Sequence, residues 1–343
     1  MLLNSMSWST CSKSILIFGG AGSLGTVLVK KYLDEEKTCV TIASRDEAKH
    51  WELRNKFPKK ASKLNTLICD IRNEARVKEV LFKTQPSVVI IASAMKQVDT
   101  CEYFPEESVE TNILGIRNIL RGIESLRHAR VEVPIVCFVS TDKSVNPINT
   151  YGMCKAISER LVMNSAKSNW ETKHVVVRYG NVLNSKGSII PALAQQAANP
   201  DQKYLTLTDD RMTRFMMTLE ESVELIDLAI RHGVNGQLWI PKLDSMKIAD
   251  LMRYFSEKSG KEVMVTGIRP GEKLHELLLN ETDMMLSTPR SYGGRDYFVI
   301  NDGTPDSTKN TDYSSKDHAI NPVELTRRID EFLEKGTYVR NTT

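Results

Sequence analysis

At 343 residues the chain exceeds the size at which single hydrophobic cores stop growing, so one large α/β domain carrying a smaller lobe is expected. A hydrophobic share of 41% and a charged share of 26% exclude a disordered or fibrous chain, and no run approaches the roughly 20 apolar residues of a membrane span. A net charge of +3, with no Lys/Arg block interleaved with aromatics, argues against a nucleic-acid partner.

Residues 1–12 lack an apolar core long enough for a secretory signal and read as a loose extension. Residues 14–18 form an apolar strand that runs into Gly19-Gly20-Ala21-Gly22-Ser23-Leu24-Gly25, ahead of an amphipathic helix reaching about Leu33. The spacing of Gly19, Gly22 and Gly25 lets backbone approach a pyrophosphate at a helix N-terminus, where free N–H groups favour anions. A second strand, 39–43, ends in Ser44-Arg45-Asp46-Glu47-Ala48-Lys49. Serine and arginine at that tip suit a 2′-phosphate and hence NADP, while Asp46, one residue on, leaves NAD open.

The third strand, 64–69, ends at Asp70-Ile71, where a carboxylate could meet adenine. The fourth, 87–91, opens into Ala92-Ser93-Ala94-Met95-Lys96, small residues that admit a cofactor, with Lys96 in reach of phosphate or substrate. Residues 107–126 carry a helical apolar stripe, and Asn112 within it is either a buried hydrogen-bonding bridge or a surface amide.

A fifth strand, 135–139, delivers Ser140-Thr141-Asp142-Lys143 to its carboxyl end, where open α/β sheets place their ligands. Tyr151 and Lys155 follow, four apart at the start of a helix and so on one face. An ammonium one turn away favours a phenolate that can take a proton from an alcohol. The Asp142–Lys143 pair suits another task, since eliminating water beside a ketone needs one group to remove a carbon-bound proton and another to protonate the leaving hydroxyl.

A sixth strand, 174–179, gives way to a polar loop, 180–188, that should face the same crevice. Helices are expected over 189–198, 220–231 and 247–259, and a strand over 237–240. Pro270-Gly271 should make a turn with a helix after it. In the tail only 296–300 looks like a strand, and 287–315 should lie across the protein or a neighbouring subunit before a last helix, 322–335. The six cysteines form no Cys-x-x-Cys pair and read as reduced, cytoplasmic thiols, and the six histidines show no metal-ligand spacing.

Together Gly-Gly-Ala-Gly-Ser-Leu-Gly, Ser-Arg-Asp-Glu, Ala-Met-Lys-Gln-Val, Ser-Thr-Asp-Lys-Ser-Val-Asn-Pro-Ile-Asn, Val-Arg-Tyr-Gly-Asn-Val, Arg-Met-Thr-Arg-Phe and Gly-Ile-Arg-Pro-Gly-Glu-Lys-Leu-His-Glu resemble the extended short-chain dehydrogenase/reductase superfamily. Within it they look most like the inverting UDP-N-acetylglucosamine 4,6-dehydratases of flagellin-glycosylation and capsule pathways. The Thr-Asp-Lys triplet separates that group from 4-epimerases, which lack the Asp-Lys pair, and from deoxythymidine-diphosphate-glucose dehydratases, which carry Thr-Asp-Glu.

The resemblance implies a Rossmann-type doubly wound parallel sheet over 13–180, with 220–240 returning to it. It also implies a smaller UDP-sugar-binding lobe over 181–286 and a C-terminal extension, 287–343, that helps assemble homo-oligomers such as hexamers. It assigns NADP to Gly19, Gly22, Ser23, Leu24, Gly25, Ser44, Arg45, Lys49, Asp70, Ile71, Ala92, Lys96, Ser140, Tyr151 and Lys155. The UDP-sugar falls to Lys96, Thr141, Asn181, Val182, Ser185, Lys186, Arg214, Arg269 and Glu272, and the chemistry to Thr141, Asp142, Lys143, Tyr151 and Lys155. The usual Thr-Gly-Gly start is Phe18-Gly19-Gly20 here, and Lys186 stands where an arginine is common. A retaining dehydratase, a 4-epimerase and a catalytically silent NADP-binding regulator are the alternatives, because fold alone does not fix function.

Overall fold

In the computed structural model, which describes residues 11–334 except 184, 186 and 302, short Val/Ile-rich strands alternate with helices through the first half of the chain. They run β1 (Lys13–Phe18), α1 (Ser23–Asp34), β2 (Thr38–Ser44), α2 (Glu47–Lys56), β3 (Leu64–Ile68), α3 (Glu74–Thr84), β4 (Val88–Ile91), α4 (Val98–Tyr103), α5 (Pro105–Val109), α6 (Gly115–His128), β5 (Ile135–Val139), α7 (Thr150–Ser168) and β6 (Lys173–Val177). Strands buried on both faces send alternate side chains to opposite layers. Leu16, Phe18, Val136 and Phe138 accordingly join one core, which includes Val77 and Ile119 of α3 and α6, whereas Ile15, Ile17, Cys137 and Val139 join another with Leu28 of α1.

The second half continues with β7 (Asn181–Val182), α8 (Ile189–Ala198), β8 (Tyr204–Leu207), β9 (Thr213–Met217), α9 (Leu219–His232), β10 (Gln237–Pro241), β11 (Ser245–Lys247), α10 (Ile248–Ser259), β12 (Glu262–Val265), β13 (Leu277–Leu279), α11 (Glu281–Met285), β14 (Ser287–Tyr292), β15 (Arg295–Ile300), β16 (Tyr313–Ser314) and α12 (Pro322–Glu334). The main sheet has nine strands in the order β14-β15-β10-β6-β5-β4-β1-β2-β3. Its parallel order reverses direction of growth between β1 and β4, which opens the crevice used by doubly wound folds at the strands' carboxyl ends. Residues 219–241 return to this sheet: Val223 and Ile226 of α9 share the α1 core, and β10 pairs with β6. A third core, built from α8, α10, β8 and α12, forms the smaller lobe.

Residues 107–126 are helical throughout, with a π-turn at Glu110–Leu114 that joins α5 to α6 and carries the buried Asn112. Three expectations need correction. No helix follows Pro270-Gly271; the chain is drawn into extended pairing, with His275 bridging Thr213 and β13 pairing β16. The tail lies across its own chain and holds more strand than 296–300 alone, with Ser287–Tyr292 and Tyr313–Ser314 also extended. Residues 287–300 form the β14–β15 hairpin that extends the main sheet through β10, and Leu325, Ile329 and Phe332 of α12 enter the smaller core. Finally, Cys11 and Cys39 form a disulfide where reduced thiols were expected, since the residue just ahead of β1 lies beside the neighbouring strand β2 with Cα atoms 5.8 Å apart. Among the described residues no helix is long and apolar enough to cross a membrane.

Candidate active site

One cleft of about 2630 Å³ runs across the carboxyl ends of the strands. Its size, beyond the roughly 300–1,000 Å³ of ordinary small-ligand pockets, admits a dinucleotide and a sugar nucleotide together. All the residues expected to bind or react line it except Lys186, which lies outside the described residues.

At one end the β1–α1 turn forms an anion cradle. Gly19 has a φ of +84°, and a Cβ there would meet the Ser93 nitrogen at 2.7 Å, so only glycine lets the turn pass the strand-β4 loop. Gly22 precedes α1 with no side-chain cap, and the first turn holds no acidic residue. The exposed N–H groups and the positive end of the helix dipole therefore await an external anion, and a dinucleotide's pyrophosphate fits them.

The β2 tip is more committed than its sequence suggests. Ser44 Oγ lies 2.6 Å from His50 Nε2, and Lys49 Nζ pairs at 2.5 Å with Asp46, whose carboxylate also caps α2. Arg45 is exposed at this tip. Asp70 is gripped by Arg72, whose Nη2 donates at 2.7 Å. Burial would raise the Asp70 carboxyl, but Arg72, with a weaker contribution from Arg45, holds it below the usual range.

Asn112 resolves as the buried bridge. Its Oδ1 accepts from Met95 N and its Nδ2 donates to Met95 O, both at 2.9 Å, so the π-turn clamps the 92–96 loop against the cleft. Farther in, Lys96 Nζ reaches Ser185 Oγ at 3.3 Å and links that loop to the 180–188 segment.

The chemical groups gather beyond β5. A single turn, Asp142–Ser144, capped by Thr141, presents Asp142 and Lys143. Asn149 caps α7 by accepting from Gly152 N at 2.7 Å, which sets Tyr151 in the first helical turn. Lys143 Nζ lies 3.2 Å from Asp142 Oδ1, 3.3 Å from Glu276 Oε1 and 3.4 Å from Asn181 Oδ1. Burial opposes the charged amine, yet Asp142 and Glu276 outweigh it and hold Lys143 above its ordinary value. Asp142 is fully buried, and burial, reinforced by Glu276, pushes its carboxyl up toward the protonated form.

Tyr151 and Lys155 share the cleft but do not pair as expected. Lys155 Nζ donates to the Val139 carbonyl at 2.5 Å and sits 4.0 Å over the Phe138 ring, and burial brings it down to about 7. Burial pushes the Tyr151 phenol up to about 12, and the groups that oppose this are the nearby Lys143 charge and a hydrogen bond with Thr141. The phenolate is thus favoured from the Thr141–Lys143 side, not by Lys155 directly.

On the opposite wall, Arg214 is largely engaged: Nη1 donates to Thr213 O at 2.8 Å and Leu274 O at 3.1 Å, and Nε lies 3.9 Å from Glu276. Arg269 and Glu272 pair with each other at 2.5 Å. Sequence reasoning missed Glu276, although it closes the quoted Gly-Glu-Lys-Leu-His-Glu motif. It was read as lying on a helix, where it would have had no reason to meet Lys143.

Comparison with known proteins places this geometry. Residues 15–293 match the family described as polysaccharide biosynthesis protein. A UDP-N-acetylglucosamine 4,6-dehydratase (inverting) of Campylobacter jejuni is 35% identical over 305 residues, 88% of this chain and 86% of that protein. A UDP-glucose 4-epimerase of Rickettsia felis is 37% identical over 280 residues, 79% of each chain. Among solved structures, Pen from Bacillus thuringiensis superposes with a TM-score of 0.86 at 31% identity, covering 96% of this chain and 99% of that one.

Proposed function

The chain belongs to the family of polysaccharide biosynthesis proteins, and we propose that it is a UDP-N-acetylglucosamine 4,6-dehydratase that inverts C5, forming UDP-2-acetamido-2,6-dideoxy-β-L-arabino-hex-4-ulose. The observation that carries this reading is the buried Asp142–Lys143 pair standing beside Tyr151 in one cleft. A 4-epimerase needs only the tyrosine half of that apparatus, so the second pair has work to do only if water is eliminated.

A nicotinamide dinucleotide bound at the β1–α1 turn would accept the C4 hydride and return it to C6 of the unsaturated ketone, and reprotonation of C5 from the opposite face would complete the product. Gly22 and the first turn of α1 would hold its pyrophosphate, Asp70 and Ile71 would face the adenine, and the exposed Arg45 would meet a 2′-phosphate, which favours NADP. Tyr151 removes the proton of the C4 hydroxyl, with Thr141 and Lys143 stabilising the phenolate. The resulting C4 ketone acidifies C5. Lys143, as the neutral amine, takes the C5 proton; the C5–H electron pair forms the C5–C6 double bond, the C6–O bond breaks, and Asp142 gives its proton to the departing oxygen, releasing water. The raised carboxyl of Asp142 suits that acid role. The UDP-sugar is held by Lys96, Asn181, Val182, Ser185, Arg214, Arg269 and Glu272, all of which line the same cleft. Lys186 extends this set by resemblance alone.

Purified protein incubated with UDP-N-acetylglucosamine and no added reductant is expected to yield a product lighter by one water, seen by mass spectrometry. A product of unchanged mass, epimeric at C4, would establish the epimerase instead.

A further inference from the structure

Lysine carries three ammonium protons, and three acceptors surround the one at Lys143: Asp142 Oδ1, Glu276 Oε1 and Asn181 Oδ1, at 3.2, 3.3 and 3.4 Å. Asp142 precedes Lys143 on the same turn and Asn181 follows β6. Glu276 comes from a different part of the chain altogether, the segment just ahead of β13. Its carboxylate is 2% exposed, and its second oxygen, Oε2, is buried without a hydrogen-bond partner among the described residues, as is Asp142 Oδ2. Burying a carboxylate with half its acceptor capacity unused is costly, which marks a position kept for something other than stability.

The placement is also braced from behind. Glu276 N donates to Ser315 Oγ and Ser315 N donates to Glu276 O, each at 2.9 Å, and the Ser315 hydroxyl in turn meets Thr213 Oγ1 at 2.7 Å. The C-terminal segment thereby fixes the backbone of Glu276 against β9, leaving its side chain directed at Lys143.

We propose that Glu276 is a positioning residue for the elimination half of the reaction, anchoring Lys143 Nζ from the side opposite its own turn and keeping a fixed anion beside it throughout turnover. The inference rests on the dehydratase reading. Asp142 cannot fill this role, because as the general acid it must be protonated when elimination begins and is then no longer an anion. Glu276 remains one: burial alone would raise its carboxyl, but Lys143, Arg214 and Lys273 hold it below the ordinary range.

The charged and titratable groups facing Lys143 are Asp142 on its own turn, Tyr151 on α7, Arg214 on β9, and Lys273 and Glu276 ahead of β13. Arg214 disfavours the ammonium and Asp142 and Glu276 favour it. Lys143 must be neutral to accept the C5 proton, so elimination should rise with pH along a limb that reaches into the alkaline range, where the raised Lys143 loses its proton. Taking away the Glu276 charge moves that limb to lower pH.

The test compares full-length wild type, Glu276→Gln and Glu276→Asp with UDP-N-acetylglucosamine, measuring kcat for water loss against pH. The Gln variant is expected to shift that limb down by about one unit, the scale of one nearby charge. C4 oxidation, followed as reduced nicotinamide absorbance in a single turnover, should change less than about threefold, because Tyr151 is its base and Lys143, with Asp142 still beside it, keeps the charge that favours the phenolate. Glu276→Asp should keep the limb in place but lower kcat about tenfold, its carboxylate no longer reaching Nζ. A limb in Glu276→Gln that coincides with wild type overturns the proposal. Should the Gln variant lack a native thermal transition, undiminished kcat in Glu276→Asp overturns it. Wild type that forms no dehydrated product defeats the dehydratase reading, a distinct result visible before any variant is made.

Discussion

Arg178 Nη2 lies 2.7 Å from Glu159 Oε2 beneath the catalytic turn, and both side chains are buried. Glu159 Oε1 also accepts from Arg178 Nε at 3.1 Å and from the Ser140 hydroxyl, and the one proton of Ser144 Oγ is shared between Glu159 Oε1 at 2.7 Å and Thr141 O at 2.6 Å. A charged pair on α7 and at the end of β6 thus holds the strand end from which Asp142 and Lys143 project. Arg178 also pairs with Asp283 at 2.6 Å, so Glu159→Gln removes one of its two carboxylates and should destabilise the protein by about 1.5–3 kcal/mol, measured by urea unfolding.

The same residue gives a pH signature. Burial would raise the Glu159 carboxyl, but Arg178 and the two serine hydroxyls overcome this and hold it below its ordinary value. A depressed folded-state value means stability that is present above the unfolded pKa of about 4.5 and is lost as pH falls through the folded value. Glu159→Gln should therefore flatten the acid side of the stability profile, most visibly below about pH 4.5. An acid limb as steep in the variant as in wild type would remove Glu159 from this role.

Asn112→Ala should loosen the loop that frames the cleft. Met95 N would lose its partner and Met95 O one of two, the Cys101 thiol remaining at 3.4 Å, at a cost of about 1–3 kcal/mol. Retention of bound dinucleotide through purification should fall with it, and a variant as stable as wild type would contradict the clamp.

How far these relations could be read from the sequence depended on the distance over which they act. The β1–α1 glycines, the Val/Ile strands and the turn carrying Asp142 and Lys143 are local patterns, and the structure has them where periodicity and spacing put them. Glu276 and Asp142 are far apart along the chain, and nothing local to Leu-His-Glu says that it will be drawn into extended pairing with a distant tail strand. Lys155 shows a different limit: helical spacing correctly puts it on the face of Tyr151, but rotamer choice sends its ammonium to the Val139 carbonyl. The Cys11–Cys39 disulfide was hidden for the same reason, since only the β1–β2 register brings the two together.

Cofactor preference turns on Arg45, because Ser44 and Lys49 are already engaged by His50 and Asp46. Arg45→Glu should weaken NADP by roughly 1.5–3 kcal/mol, the worth of a charge-assisted hydrogen bond, and leave NAD nearly unaffected. Titration of the two dinucleotides by fluorescence distinguishes the cases. Equal loss for both, or native protein that retains only NAD, would assign the site to NAD.

Tyr151→Phe should abolish C4 oxidation, with a loss of about 10² to 10⁴ in the single-turnover appearance of reduced nicotinamide, as for removal of one general base. Lys155→Met should weaken the same step less, since its ammonium is committed to Val139 and the groups that favour the phenolate are Thr141 and Lys143. A Lys155→Met defect equal to that of Tyr151→Phe would restore the direct pairing that helical spacing suggested.

Proton NMR of UDP-N-acetylglucosamine turning over in deuterated water tests the division of labour between the two acid/base pairs most directly. Wild type should give a 4-keto-6-deoxy product with deuterium at C5. Lys143→Met should oxidise C4 more slowly than wild type, having lost a charge that favours the Tyr151 phenolate, yet leave C5 protonated and C6 hydroxylated. Formation of the deoxy product by Lys143→Met at near wild-type rate, or a wild-type product that keeps its C6 oxygen and its C5 proton, would contradict the assignment of elimination to Asp142 and Lys143.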